Sequence, residues 1–99
     1  MAEYLYCSFC GKPTKTNHHL IFGNSQRALA DADEIYIPLC DPCHNMAAKP
    51  EDRVHGNPVA EKLSKMLGQA LWEKKYILAE HSESEARSRF MERYGRSYL

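Results

Sequence analysis

Long apolar runs are missing from this sequence, which excludes a chain that crosses a bilayer as a helix. The first residues, MAEYLYC, lack the basic start and long apolar core of a signal peptide, so we expect a reducing, cytoplasmic location without membrane contact. Neither sign of charge is in excess, because 13 Lys and Arg balance 13 Asp and Glu. A neutral chain has no overall attraction to nucleic acid, which leaves a local basic strip as the means of binding it.

Internal repeats, low-complexity tracts and Gly/Ser-rich linkers are also absent from the sequence. The 99 residues therefore predict a single domain, residues 1–99, whose character changes once, near residue 57. Turns, cysteines and histidines come before that point, and helix-forming residues come after it. A domain of this size buries little apolar surface, so we expect an additional cross-link to stabilise it.

The cysteines form two C-x2-C pairs, Cys7/Cys10 and Cys40/Cys43. Two thiolates at this spacing on a turn can bind one side of a tetrahedral ion, and two such turns complete a closed zinc site. The alternative is a pair of disulfides, which a reducing compartment disfavours. The pattern predicts a structural Zn²⁺ ion with no open position for a substrate.

The first half predicts the order strand, loop, strand, short helix. CSFCGKPT indicates a strand that enters a cysteine-bearing turn, HHLIF and EIYIPL indicate strands, and residues 23–34 indicate a loop or a short helical turn. DPCHNMAAK predicts a short helix with Asp41 as its cap, Pro42 in its first turn and Pro50 as its stop.

The second half predicts two helices. Asn57 and Pro58 indicate the start of a long helix, and we interpret Trp72 as a half-buried packing residue of it. Ser82 with Glu85 has the spacing of a capping box, and Gly95 indicates the C-terminal stop, so a second helix is expected over residues 83–94. The expected apolar positions are Leu63, Met66, Leu67, Ala70, Leu71 and Ile77 or Leu78 in the first helix, and Phe90, Met91 and Tyr94 in the second.

A more specific pattern surrounds the cysteine pairs. HH at residues 18–19, followed by LCxxCHN at residues 39–45, resembles the HNH endonuclease family, whose ββα-metal core sits in many members on a four-cysteine zinc scaffold of treble-clef type. The resemblance covers residues 4–56, and the ending MERYGRSYL is similar to that of small phage and prophage members. It implies an α+β fold, in which a zinc-stapled ββα-metal core precedes a helical extension over residues 57–99. It also implies the bacterial host cytoplasm as the location.

Carried over position by position, the resemblance implies that His18 binds a catalytic divalent ion and that His19 is the general base. His44 matches a metal ligand carried on the helix, with Asn45 as the alternative one position later. His55 is either a further ligand or a surface-loop histidine. Such a nitrogen-rich site favours Zn²⁺, Mn²⁺, Ni²⁺ or Co²⁺ over Mg²⁺.

The implied reaction is hydrolysis of a DNA phosphodiester bond, with His19 taking a proton from the attacking water. The resemblance also implies 5′-phosphate and 3′-hydroxyl products. Few base-reading features are visible, so a nicking or weakly specific nuclease is expected, acting as a monomer or a homodimer. Basic side chains expected to bind the phosphate backbone are Lys12, Lys15, Arg27, Lys49 and Arg53.

The sequence departs from the family in two places. An Asn that commonly orients the base is replaced by Ile35 or Tyr36, so a backbone carbonyl, Asn17 or Asn24 is the expected substitute. The paired helix histidines of colicin-type DNases are absent, because the residue four positions after His44 is alanine.

Two other hypotheses remain open on sequence. One is a non-catalytic zinc module that binds nucleic acid or protein, and a buried, internally bonded His19 would favour it. The other is a phage regulatory or packaging accessory protein whose weak nuclease activity matters only in complex with a larger partner.

Overall fold

The computed structural model describes residues 5–79 and 81–99, so the first residue of the predicted 4–56 core lies outside the described part. Within it the chain has an α+β fold with two small antiparallel sheets. None of the described helices is both long enough and apolar enough to cross a membrane. The strands are β1 (Leu5–Tyr6), β2 (Pro13–Thr14), β3 (Asn17–His19) and β4 (Tyr36–Pro38), and the α-helices are α1 (Gln26–Ala32), α2 (Pro58–Leu78) and α3 (Glu83–Tyr94).

The first sheet carries the first cysteine pair on the turn between its strands, β1 and β2. Cys7 N donates to Lys12 O over 2.8 Å, and Gly11 N donates to Cys7 O over 2.9 Å. Gly11 has a φ of +78°, a left-handed conformation that glycine adopts at little energetic cost. The predicted cysteine-bearing turn is confirmed.

The second sheet pairs β3 with β4 and places His18 opposite Ile37. Both strands are shorter than the predicted HHLIF and EIYIPL segments, with three residues each. Leu20 lies beyond β3, although its N–H still donates to Ile35 O over 3.0 Å, and it is only 1% exposed. The chain therefore leaves the sheet as it enters the apolar core.

The segment after the second cysteine pair differs from the predicted helix. Pro42–Met46 forms one π-helical turn, and Pro50–Asp52 forms a separate 3-10 turn. Asp41 is itself helical, and its side chain makes no capping hydrogen bond. The prediction of a capped helix reaching Pro50 is wrong, because Ala47 is extended (φ −62°, ψ 145°) and ends the turn.

Residues 23–34 contain a defined helix, α1, whose end is fixed by Asp33. One carboxylate oxygen, Oδ2, accepts hydrogen bonds from Trp72 Nε1 (3.0 Å), Arg93 Nε (2.6 Å) and Tyr94 Oη (2.8 Å). These bonds join α1 to both α2 and α3. Trp72 is partly buried and packs against the core, which confirms its interpretation as a packing residue.

Helix α2 begins as predicted, since Asn57 Oδ1 accepts the N–H of Ala60 over 3.2 Å. Its predicted apolar face is wrong in part, because Leu63, Leu67 and Ala70 are exposed, as is Leu78. The buried positions are small or polar: Ser64, Gly68, Gln69 and Glu73.

Close packing explains why this side of α2 is buried. A Cβ added at Gly68 would lie 2.7 Å from Ile21 Cγ1 and 3.0 Å from Leu20 Cβ, so only glycine permits this approach of helix and core. Gln69 is completely buried, and its amide reaches Ser97 Oγ over 3.0 Å. Contacts with the residues after β3 and with α3 and the segment after it, rather than hydrophobic periodicity, determine which side of α2 is buried.

Helix α3 has the predicted bounds. Ser82 Oγ accepts the N–H of Glu85 over 3.2 Å, and the helix ends at a glycine with a φ of +83°. Met91 is 45% exposed, so it does not belong to the buried stripe that was predicted to include it. The main core cluster draws on both halves of the chain and comprises Leu20, Ile21, Ala30, Ile35, Phe90 and Tyr94.

Candidate metal centres and the adjacent histidine

The two cysteine pairs lie together and can hold one metal ion such as zinc. The four Sγ atoms all lie within 4.8 Å of one another, and those of Cys10 and Cys40 are 3.5 Å apart. Zinc–sulfur bonds of about 2.3 Å in a tetrahedron separate neighbouring sulfurs by about 3.8 Å. All four cysteines carry free thiols. We call Cys7, Cys10, Cys40 and Cys43 the four-cysteine group.

Backbone N–H groups prepare one of these sulfurs for a cation. The amides of Phe9 and Cys10 donate to Cys7 Sγ over 3.4 and 3.5 Å. Burial raises the pKa of Cys7, but hydrogen bonds from these amides and from that of Cys40 outweigh burial and lower the pKa to about 6. Burial raises the pKa of Cys43, helped by hydrogen bonds to the other sulfurs. Zinc binds thiolates, so binding of the ion would release a proton from Cys43.

Three histidines converge on a second group. The ring nitrogens of His18, His44 and His55 lie within 4.8 Å of one another, and the ring centroids are 4.7 to 5.0 Å apart. They come from β3, the π-helical turn and the loop before α2, and His55 N donates to His44 O over 3.0 Å. Asn45, the alternative to His44, is exposed, whereas His44 is partly buried.

One buried nitrogen in this group lacks a hydrogen-bond partner. His18 is 1% exposed, and its Nε2 lies 2.7 Å from Ser64 Oγ, which donates to Leu20 O over 2.7 Å. Nε2 must therefore carry the proton, which leaves Nδ1 as a buried lone pair with no partner among the described residues. Burial, followed by the charges of His44 and His55, lowers the pKa of His18 to about 3 and keeps the ring neutral. Neutral imidazole is the form that binds a borderline divalent ion.

Helix α2 supports a second histidine of the group. Glu61 Oε2 lies 3.3 Å from His55 Nδ1 and accepts the N–H of Gly56 over 3.5 Å. A carboxylate behind a ligand histidine fixes the ring and raises its basicity. Sequence reasoning missed both Glu61 and Ser64 because it assigned α2 to packing. Their i, i+3 spacing directly after the helix cap was the available signal, since it places two polar side chains on one face.

His19 lies in a different environment from its neighbour. Its Nε2 is 2.9 Å from Asp31 Oδ1, and its ring packs edge-on against Tyr36. Successive side chains of a strand point to opposite sides, so adjacent histidines need not share a partner. Asp31, rather than Asn17 or Asn24, is the residue that the structure places against the ring. Sequence reasoning missed Asp31 because only the formation of α1 brings it alongside β3.

The basic residues predicted to bind DNA differ in their surroundings. Arg53 is partly buried, with Nε donating to His55 O (2.6 Å) and Nη1 to Ala47 O (2.7 Å), so it holds the loop together. Burial and the charge of His55 lower the pKa of His44. Arg27, on α1, is exposed. The remaining predicted residues are exposed: Lys12, Lys15 and Lys49.

Removal of the hydroxyl behind His18 gives a direct test of the three-histidine group. We expect Ser64→Ala to weaken Co²⁺ binding at this group by about 10- to 100-fold, because the ring loses the partner that fixes its tautomer. Titration of Co²⁺ into protein that keeps its structural zinc, followed by visible absorption, measures the affinity. Ser88→Ala, at an exposed position of α3, is the control. Equal affinity in both variants would contradict the assignment of Ser64.

The two groups differ in the chemistry that they allow. Four thiolates complete a tetrahedral shell and suit a structural ion, whereas three imidazoles leave a position open for water or a substrate oxygen. Residues 5–79 and 81–99 thus provide one set of four donors, which can form a closed site, and one set of three, which can form an open site. Comparison with known proteins gives no significant match to any family model, curated protein or solved structure.

Proposed function

We propose that this chain is a metal-dependent endonuclease of the HNH type, with a treble-clef ββα-metal core, that nicks DNA with little sequence specificity. The proposal depends on the different surroundings of two adjacent residues of β3. His18 belongs to the three-histidine group, and His19 makes a hydrogen bond with Asp31. A metal-assisted hydrolase needs an open metal site and a general base close to each other. His19 is the candidate for this base, because it directly follows His18 in β3.

Two metal positions belong to the proposal. The four-cysteine group would hold structural Zn²⁺, and the three-histidine group would hold the catalytic ion, with Zn²⁺, Mn²⁺, Ni²⁺ or Co²⁺ preferred over Mg²⁺. When bound, the catalytic ion would supply Lewis-acid stabilisation of the negative charge that develops on the phosphate and the leaving oxygen. The guanidinium group of Arg27 would bind the same phosphate.

His19 would move the proton in this reaction. Its Nε2–H donates to Asp31, so Nδ1 of the neutral ring can accept the proton of an attacking water. The carboxylate of Asp31 would stabilise the imidazolium that forms and keep the ring in one orientation. Asp31 would therefore take over the orienting role of the asparagine that Ile35 or Tyr36 replaces.

One observation favours a second candidate, a non-catalytic zinc module that binds nucleic acid or protein. The side chain of His19 is only 14% exposed and already has an internal partner. In such a module both metal groups would be structural. Nicking of supercoiled plasmid distinguishes the two candidates: the nuclease nicks when the weaker metal position is refilled with one of the preferred ions. Failure of every ion to support nicking by the isolated protein would overturn the nuclease proposal.

Asp31 can be tested separately from the base itself. We expect Asp31→Ala to lower the nicking rate by about 10- to 100-fold, because the ring loses its orientation while the general base remains. Plasmid nicking under saturating metal measures the effect, and zinc content is expected to stay unchanged. Glu34→Ala, which removes another exposed carboxylate near the end of α1, is the control and should nick normally. Normal nicking by Asp31→Ala would show that Asp31 has no positioning role.

A further inference from the structure

We propose that a groove between the first half of α2 and the segment after α3 binds the phosphate backbone of DNA and leads it to the three-histidine group. This inference rests on the proposed function for its substrate. The groove has a volume of about 540 Å³. We call it the cationic groove, and its polar and aromatic lining includes Glu61, Lys62, Lys65, Arg96, Ser97 and Tyr98.

The positive charges of the groove are not neutralised within the protein. Among the residues that the structure describes, its two lysines and one arginine form no ion pair. Glu61, the carboxylate side chain in the lining, is directed to His55 instead. Cations without protein partners bind phosphates with release of counterions, which favours association. The arginines inside α3 differ, because each has a carboxylate: Arg87–Glu73, Arg89–Glu92 and Arg93–Asp33.

Aromatic rings hold two of these three cations, Lys65 and Arg96, in place. Lys65 Nζ lies 4.6 Å from the ring centroid of Phe22 and 5.6 Å from that of Tyr98, and Arg96 Cζ lies 4.9 Å from the Tyr98 centroid. Cation–π contacts fix a charged group without cancelling its charge. Tyr98 is fixed in turn, because its N–H donates to the Oε1 atom of buried Gln69 over 2.5 Å. The groove is therefore a preformed surface rather than a set of unrelated lysines.

The groove also adjoins the proposed catalytic group. The ring centroid of Phe22 is 4.7 Å from that of His55 and 5.5 Å from that of His18, and Lys65 lies over the same Phe22 ring. One aromatic ring thus separates a groove cation from two histidines of the metal group. A DNA strand whose phosphates occupy the groove would reach the histidines without leaving the surface. The basic residues predicted from the sequence do not include this groove, because its cations come from the helical half.

A matched pair of double variants on one helix tests the groove. Lys62→Gln with Lys65→Gln removes two groove charges, and Lys74→Gln with Lys75→Gln removes two charges from the other half of α2. Both pairs are made in a His19→Ala background, so that a short fluorescent DNA duplex stays intact during anisotropy titrations over a series of salt concentrations. For the groove pair we expect at least a tenfold weaker affinity. A plot of log K against log salt concentration has a negative slope. We expect the magnitude of this slope to decrease by about 2 in the groove pair and to change little in the control pair.

Two further variants separate charge from folding. Lys65→Arg keeps the charge and is expected to bind like the unmodified background, while Arg96→Gln removes a charge outside the helices and is expected to lower the slope by about 1. Zinc content and thermal melting verify that each variant is folded. Equal losses in the two double variants, or an unchanged slope in the groove pair, would overturn the inference.

Failure of the groove proposal can be distinguished from failure of the nuclease proposal. With His19 intact, the groove pair is expected to raise KM for plasmid nicking and to leave kcat unchanged. If the wild type nicks DNA and the groove pair nicks it with the same KM, the groove proposal is rejected and the nuclease proposal stands. Absence of nicking with every ion, together with groove-dependent DNA binding, would reject the nuclease and leave the groove as a DNA-binding surface.

Discussion

Cys40→Ser is expected to release one zinc ion per chain and to abolish the cooperative thermal unfolding of the protein. Cys40 is 8% exposed and belongs to a buried cluster with Cys7, Leu39 and Val54. A serine hydroxyl does not replace a thiolate as a zinc ligand. Structural zinc contributes on the order of 10 kcal/mol to small domains, which is comparable with the whole stability of about 5–15 kcal/mol that such domains have.

Metal analysis and circular-dichroism melting measure this effect. Ser8→Ala is the matched control, because Ser8 lies on the same cysteine-bearing turn, is exposed, and uses its backbone N–H rather than its side chain to reach Pro38 O. The control should keep its zinc and its melting temperature. A wild-type protein with two disulfides and no zinc would contradict the prediction, as would a Cys40→Ser variant that keeps its zinc.

The second large effect is expected for His19→Ala, which should lower plasmid nicking by about 10²- to 10⁴-fold. The substitution removes the ring that we propose accepts the proton of the attacking water, while neither metal group loses a donor. Zinc content should be unchanged, and the free energy of unfolding should fall by only about 1 kcal/mol, because the ring packs mainly against Tyr36 and Asp31. Initial nicking rates under saturating metal provide the comparison.

His81→Ala is the control for this variant. His81 is an exposed histidine that pairs with Glu85 at the start of α3, and it belongs to neither metal group. Its replacement should leave the nicking rate unchanged. If His19→Ala nicks as fast as this control, His19 is not the base, and the non-catalytic zinc module becomes the preferred interpretation.

Features with a local cause could be predicted from the sequence. The ends of α3 and the start of α2 follow from Ser82, Asn57 and the glycine after Tyr94, whose capping roles depend on neighbouring backbone atoms. The π-helical turn and the buried side of α2 could not be predicted in this way. They depend on contacts between distant parts of the chain, such as the approach of α2 to Ile21 at Gly68.

The candidate sites show the same limit. Spacing alone paired the cysteines, whereas His18 and His44 were expected as ligands from the resemblance to the HNH family. For His55 the sequence left two interpretations open, and the fold places it with the other two histidines. The supporting residues Asp31 and Ser64 carry no motif, and each acts across a tertiary contact that only the folded helices create.

The close contact at Gly68 has a thermodynamic consequence for the proposed catalytic ion. Docking of α2 onto the residues after β3 brings Ser64 and Glu61 to the backs of two histidines, so helix docking and ion affinity are linked equilibria. Linkage is reciprocal: an ion that binds more tightly to the docked state must stabilise that state by the same free energy. Amide hydrogen exchange in α2 would therefore slow as the three-histidine group fills, which makes the helix a reporter of its occupancy.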